Sequence, residues 1–257
     1  FIPGLLLVGL YICYMIYKAI TQPESCPATP MTEEERKGIV KDVAVALLPP
    51  LVLILLVLGS ILTGIATPTE AGSVGAVGAT ILAALRWRLS FKVLRDAAMT
   101  TATITSMIFV ILFGASVFSI VFRVMGGDNL VHEFLTGLPG GAIGAMIVVM
   151  LIMFVLGFIL DTFEIIFIII PITAPILLAL GVDPIWLGVM VGVNLQTSFM
   201  TPPFGFSLFY LRGVAPSRVT TGMIYRGAIP FVGIQIVAIA LLFLFPQLIT
   251  WLPSLSN

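Results

Sequence analysis

The stretch Asn194-Leu195-Gln196-Thr197-Ser198-Phe199-Met200-Thr201-Pro202-Pro203-Phe204-Gly205 lies inside an otherwise apolar run, Ile185 to Leu211. Two consecutive prolines remove two backbone N–H donors, and their rings press on carbonyls of the preceding turn. Thr201, just ahead of Pro202, is pushed toward extended backbone, and Gly205 lets the chain leave the helix. Lipid offers no hydrogen bonds, so irregular backbone at membrane depth is tolerated only inside protein or beside a watery cavity. Freed carbonyls, the Thr201 hydroxyl and a half-helix N-terminus can hold a hard cation through oxygens and an anion through the dipole. The plainer reading is a proline kink with polar side chains bonded back to the backbone. That suits a single proline better than this cluster, so Asn194, Gln196, Thr197, Thr201, Pro202, Pro203 and Gly205 form the first candidate binding group.

Composition puts the run in a membrane. Of 257 residues, 60% are hydrophobic and 9% charged, with a mean hydropathy of +1.19; soluble domains carry about 25% charged residues. The formal net charge is zero, which gives no electrostatic case for nucleic acid. Cys13 and Cys26 show no metal or redox spacing and no disulfide is expected between them. His132 is the single histidine, which argues against a histidine-rich metal site or a serine–histidine triad. The chain opens on Phe1 and runs directly into an apolar stretch without a charged leader, so it reads as a fragment beginning inside a longer protein.

Apolar runs of about 20 residues can cross the hydrocarbon layer. Such runs occupy Phe1 to Ile20, Val43 to Ala66, Met99 to Phe122 and Gly227 to Phe245, with a small-residue helix from Thr67 to Leu85. Thr67 reads as the cap of that helix, with Pro68 at its first position and Glu70 at the positive dipole end. Gly72, Gly75 and Gly78 suggest close helix packing rather than a pore. Residues 21–42 form the long hydrophilic segment, expected as a cytoplasmic loop, and His132 and Glu133 fall in an expected exposed loop. The whole chain reads as a single transmembrane region.

Charge then sets topology. Basic clusters at 36–41, 86–95 and 212–226 should share the cytoplasmic side. The segment 140–211 must therefore make an odd number of crossings. Taking 140–180 as a re-entrant hairpin with its tip at Leu160-Asp161-Thr162, and 185–211 as one broken crossing, satisfies this parity. Two full spans would leave Asp161 and Thr162 in a turn with no polar loop. Asp161 and Thr162 thus join the candidate site. A carboxylate at mid-span is costly and usually has a partner or faces water; its structural alternative is to cap the second hairpin arm in an Asp-Thr-Phe-Glu box with Glu164. Pro171 and Pro175 are expected to kink that arm. The fold expected is all-α and membrane-integral: a multi-span helical bundle with a re-entrant hairpin and a broken transmembrane helix.

Four stretches together are recognisable: Gly64-Ile-Ala-Thr-Pro-Thr-Glu-Ala-Gly72, Gly157-Phe-Ile-Leu-Asp161, Pro171-Ile-Thr-Ala-Pro175 and Asn194 to Phe206. From about Pro3 to Pro246 the chain resembles the second half of the large membrane subunit of tripartite ATP-independent periplasmic (TRAP) transporters. The resemblance implies one half of an inverted-repeat elevator transporter that imports an organic acid, such as a dicarboxylate, in symport with sodium. It implies a periplasmic substrate-binding protein and a small membrane subunit as partners, surrounding membrane lipid, and a location in a bacterial or archaeal inner membrane. No cofactor beyond sodium as coupling ion is implied, and no nucleic acid. By the same resemblance, Asp161 and Thr162 would be a hairpin tip and Asn194 to Gly205 a broken helix, with sodium near Thr162, Asn194 and Thr201. No Gly-x-x-x-x-Gly-Lys-Ser/Thr loop occurs, in keeping with an ion-driven mechanism. The alternatives are an ion-coupled anion symporter that needs no binding protein, an intramembrane aspartyl protease, which would need a second facing aspartate, and a passive channel or scaffold subunit.

Overall fold

The structure, a computed structural model, describes residues 1–25, 33–202, 205–216 and 218–254. Every regular element among the described residues is helical. Among the described residues, five helical stretches are long and apolar enough to cross a bilayer: Ile2–Thr21, Lys41–Leu62, Phe91–Val124, Thr162–Ala179 and Thr221–Leu244. The protein is an all-α integral membrane protein. Contacts divide it into two units, Pro27–Thr105 and the remainder, Phe1–Cys26 with Ser106–Asn257.

In the Pro27–Thr105 unit, α2 (Glu33–Leu62) packs against α3 (Pro68–Leu85). The second part of the hydrophilic segment 21–42 is therefore helical rather than loop; acidic residues such as Glu33 to Glu35 suit a helix start. Thr67 caps α3 as expected: Glu70 Oε2 accepts from Thr67 N–H at 2.8 Å, and the Glu70 N–H donates to Thr67 Oγ1 at 3.4 Å. Of the three glycines expected to pack, two do. A Cβ on Gly75 would lie 3.3 Å from Val57 Cγ2, and one on Gly78 would overlap Leu53, whereas Gly72 faces open space. Pro49 and Pro50 lie inside α2 without ending it. They leave the Val45 and Ala46 carbonyls without their usual donors four residues on. The Arg86 guanidinium supplies them, with Nη2 at 2.7 Å from Val45 O and 3.4 Å from Ala46 O.

The other unit contains α1 (Ile2–Thr21), the later part of α4 (Phe91–Val124), α5 (Gly127–Thr136) and α6 (Gly141–Leu156). It continues with α7 (Thr162–Glu164), a π turn (Ile165–Ile169) and α8 (Ile170–Ala179). The last elements are α9 (Pro184–Phe199), α10 (Phe206–Val214), α11 (Thr221–Leu244) and α12 (Gln247–Ser254). Helices α6 and α8 pack together as the arms of a hairpin, and α5 packs against both. The segment around His132 is thus a short helix, with Leu135 buried in the core and His132 and Glu133 exposed. Helix α9 lies against α6 and α11, and α11 against α1. Their shared core is apolar, with Met146, Met153, Leu177, Met190 and Leu242 all fully buried.

Proline also shapes the second hairpin arm, in the turn that precedes Pro171. Pro171 would press on the Phe167 carbonyl and cannot donate to it. The helix widens just before it, and the Ile170 N–H reaches back five residues to Ile165 O. At the other end, Asp183 Oδ1 accepts from Trp186 N–H at 2.8 Å to start α9, with Pro184 in the first turn. Trp186 Nε1 donates to Leu242 O at 3.1 Å, fixing the start of α9 to the end of α11. Cys13 is an exposed free thiol; Cys26 lies outside the described residues.

Candidate functional site

The hairpin tip is built from local hydrogen bonds. Helix α6 closes with Gly157 N–H donating to Met153 O at 2.8 Å, and the turn continues through Ile159 N–H to Leu156 O at 2.9 Å. Asp161 is extended, φ −74° and ψ 162°, the geometry of a helix cap. Its Oδ1 accepts from Thr162 N–H at 2.7 Å, while Glu164 Oε2 accepts from Asp161 N–H at 3.3 Å. The reciprocal box is complete. Both half-buried carboxylates are engaged in starting the second arm, the structural role open to Asp161 from its sequence.

The tip sits on α9. A Cβ on Gly157 would lie 2.7 Å from Ser198 Cβ and overlap its Oγ. Gly157 has ordinary helical backbone, φ −65° and ψ −6°, so space rather than conformation demands glycine here. The contact falls on the last turn of α9, just before the break.

Helix α9 divides the candidate residues between two faces. Thr162 and Gln196 line one groove, of about 630 Å³, whose walls include Ile166 and Ile170 of the hairpin and Val191 and Leu195 of α9. Asn194 and Thr197 line a second cavity of about 480 Å³, between α6, α9 and α11. Asn194 is buried and donates through Nδ2 to Met150 O at 2.8 Å, joining α9 to α6 and leaving Oδ1 as its acceptor. Thr197 and Ser198 donate back to Val193 O and Leu195 O, both at 2.8 Å.

The helix is interrupted between Phe199 and Phe206. Thr201 Oγ1 donates to Thr197 O at 2.7 Å, and Thr201 N–H donates to Ser198 O at 3.1 Å. The Gly205 N–H returns to Thr201 O at 3.1 Å. A Cβ on Gly205 would lie 2.5 Å from Phe199 O and 3.0 Å from Thr201 O, so carbonyl oxygens crowd round this glycine. Pro202 is half-buried within the break; Pro203 lies outside the described residues.

Reasoning from sequence missed three contributors. Gly157 stood out in the sequence as the start of the Gly157-Phe-Ile-Leu-Asp161 stretch, but nothing there pointed to its contact with Ser198. Gln235 is fully buried on α11, where its Nε2 donates to Tyr11 Oη at 2.8 Å and to Met200 Sδ at 3.4 Å. A lone amide in the span from Gly227 to Phe245 was the available signal. Met150 contributes a main-chain carbonyl, which leaves no trace in side-chain patterns.

A family model for the tripartite ATP-independent periplasmic transporter, DctM component, matches residues 1–248. The chain belongs to the DctM family. It is 30% identical to the C4-dicarboxylate TRAP transporter large permease protein of Vibrio cholerae, over 99% of this chain and 59% of that protein. It is 27% identical to the sialic acid TRAP transporter permease protein of Haemophilus influenzae, over 99% of this chain and 40% of the relative. The ectoine TRAP transporter large permease protein of Halomonas elongata is also 27% identical, over 99% of this chain and 58% of its own length. The chain thus spans between 40 and 59% of these DctM-family relatives. The matched family is described as a transporter component and these relatives are named as permeases, which speaks against the protease alternative.

Proposed function

We propose that this chain belongs to the large permease subunit of a sodium-coupled symporter that imports an organic acid. A periplasmic binding protein delivers the substrate, a small membrane subunit completes the assembly, and the complex works in a bacterial or archaeal inner membrane. The hairpin at 140–180 enters and leaves on one side of the membrane, and 185–211 crosses once through the break. The hairpin and broken helix move together against the rest of the transporter in an elevator motion.

The observation that carries this reading is the seating of Gly157 on Ser198. It couples the hairpin tip to the turn of α9 that leads into the break, so that an occupant of the break is felt at the tip. Sodium takes oxygen ligands, and the crowded carbonyls near Gly205, the Thr201 hydroxyl oxygen and Asn194 Oδ1 are oxygens of that kind. Thr162 and Gln196 supply the polar end of the neighbouring groove for the organic acid. Relatives named for C4-dicarboxylates and sialic acid favour a carboxylate substrate, and another relative is named for ectoine.

The test is uptake into proteoliposomes by the full-length protein with its partners, comparing the parent with Asp161→Ala and Thr201→Ala. A sodium gradient should drive uptake and both variants should reduce it. Uptake that needs no sodium and survives both substitutions would overturn the proposal.

A further inference from the structure

Gln235 carries the one buried side-chain oxygen among the described residues that has no hydrogen-bond partner, its Oε1. The residue is fully buried in α11, a helix apolar enough to cross a membrane. Burying an amide there is costly unless it is paired. Only its nitrogen is paired. Nε2 faces two groups at once, the Tyr11 hydroxyl on α1 and the Met200 sulfur at the end of α9. A thioether has no proton to give, so turning the nitrogen toward Met200 makes one more hydrogen bond than the reverse orientation and leaves Oε1 over.

The partners are themselves held. The Tyr11 ring packs edge-on against Phe231 with centroids 5.3 Å apart, and Tyr14 packs on the same ring at 5.3 Å. Met200 is the capping residue of α9, immediately before Thr201. The amide therefore ties the entrance of the break to α1 through a side chain of α11.

A leucine or methionine at position 235 would fill similar volume without an orphan acceptor. Removing one partner of a buried hydrogen bond costs the desolvation of the group left behind, so such a change would strand the Tyr11 hydroxyl and the Met200 sulfur. The Gln235 amide thus holds Tyr11 and Met200 together at the cost of one unpaired buried oxygen. We infer that Gln235 is a positioning residue: it clasps Met200 to Tyr11 and so sets the geometry of the break, and with it the affinity of the cation held there. The affinity part rests on the sodium reading above; the clasp itself does not.

The experiment uses the full-length protein and two readouts. The first is amide hydrogen exchange at Met200 and Thr201 in the absence of substrate. Gln235→Leu should raise exchange about tenfold, the equivalent of losing one or two hydrogen bonds. Tyr11→Phe removes one partner and should raise it about threefold. The second readout is the sodium concentration for half-maximal uptake, expected to rise about tenfold in Gln235→Leu. Gln235→Met serves the same purpose if the leucine variant does not fold. Unchanged exchange would overturn the clasp. Raised exchange with unchanged sodium dependence would reduce Gln235 to a structural tie and overturn the positioning role. A parent protein that transports without sodium would overturn the function proposed above, while the exchange result still decides the clasp.

Discussion

Gly157 at the end of α6 and Ser198 in the last turn of α9 approach so closely that no side-chain carbon fits between them. The hairpin tip and the broken helix are thereby one packed unit. Interiors pack at near-crystalline density, so adding a single methyl at such a contact is felt.

Gly157→Ala should push the tip away from Ser198. Overpacking of this kind costs about 1–3 kcal/mol. We expect a lower thermal midpoint and loss of most uptake. Ser198→Gly in the same molecule should recover part of both. An alanine variant as stable and active as the parent would show that the close approach is dispensable.

Gly205→Ala tests the break. Its φ of −47° is open to any residue, so strain comes from space, with the Phe199 oxygen 2.5 Å from the new Cβ. Uptake should fall sharply, and amide exchange around Thr201 should rise as the turn opens. Unchanged exchange in this variant would mean that the carbonyls at the break relax freely.

The two roles open to Asp161 separate by isostere. Asparagine caps a helix about as well as aspartate, whereas alanine costs about 1 kcal/mol. Asp161→Asn should therefore keep stability and most uptake, and Asp161→Ala should lose both. Stability retained in Asp161→Asn with uptake abolished would instead assign the carboxylate charge a direct part in transport.

Arg86 offers a cycle within the Pro27–Thr105 unit. Arg86→Leu should speed amide exchange in the α2 turn around Pro49, because two carbonyls lose their donor. Pro49→Ala with Pro50→Ala restores backbone donors to Val45 and Ala46, and in that background Arg86→Leu should have little effect. Equal effects in both backgrounds would show that the guanidinium acts elsewhere.

Much of this architecture could be read without coordinates, and the two double prolines show where reading stops. Composition and run lengths dictate membrane helices, because about 20 apolar residues with few charges have no other stable environment. Capping at Thr67 and Asp161 was legible because those bonds span three residues and depend on local sequence alone. Yet Pro49-Pro50 and Pro202-Pro203 look alike in sequence, and while α2 runs on through the first pair, α9 has ended before Pro202. The difference is made at a distance: Arg86, about 40 residues on, bonds the carbonyls that the first pair frees. The candidate site followed the same division. The sequence of Asn194 to Gly205 by itself determined that polar groups and freed backbone gather in one short stretch of an apolar run. Only tertiary packing decided that Asn194 and Gln196 face different cavities, that Gly157 seats on Ser198, and that Gln235 and Tyr11 hold the entrance to the break. Those contacts depend on how separate helices meet, which a pattern repeating every 3.6 residues along one helix does not encode.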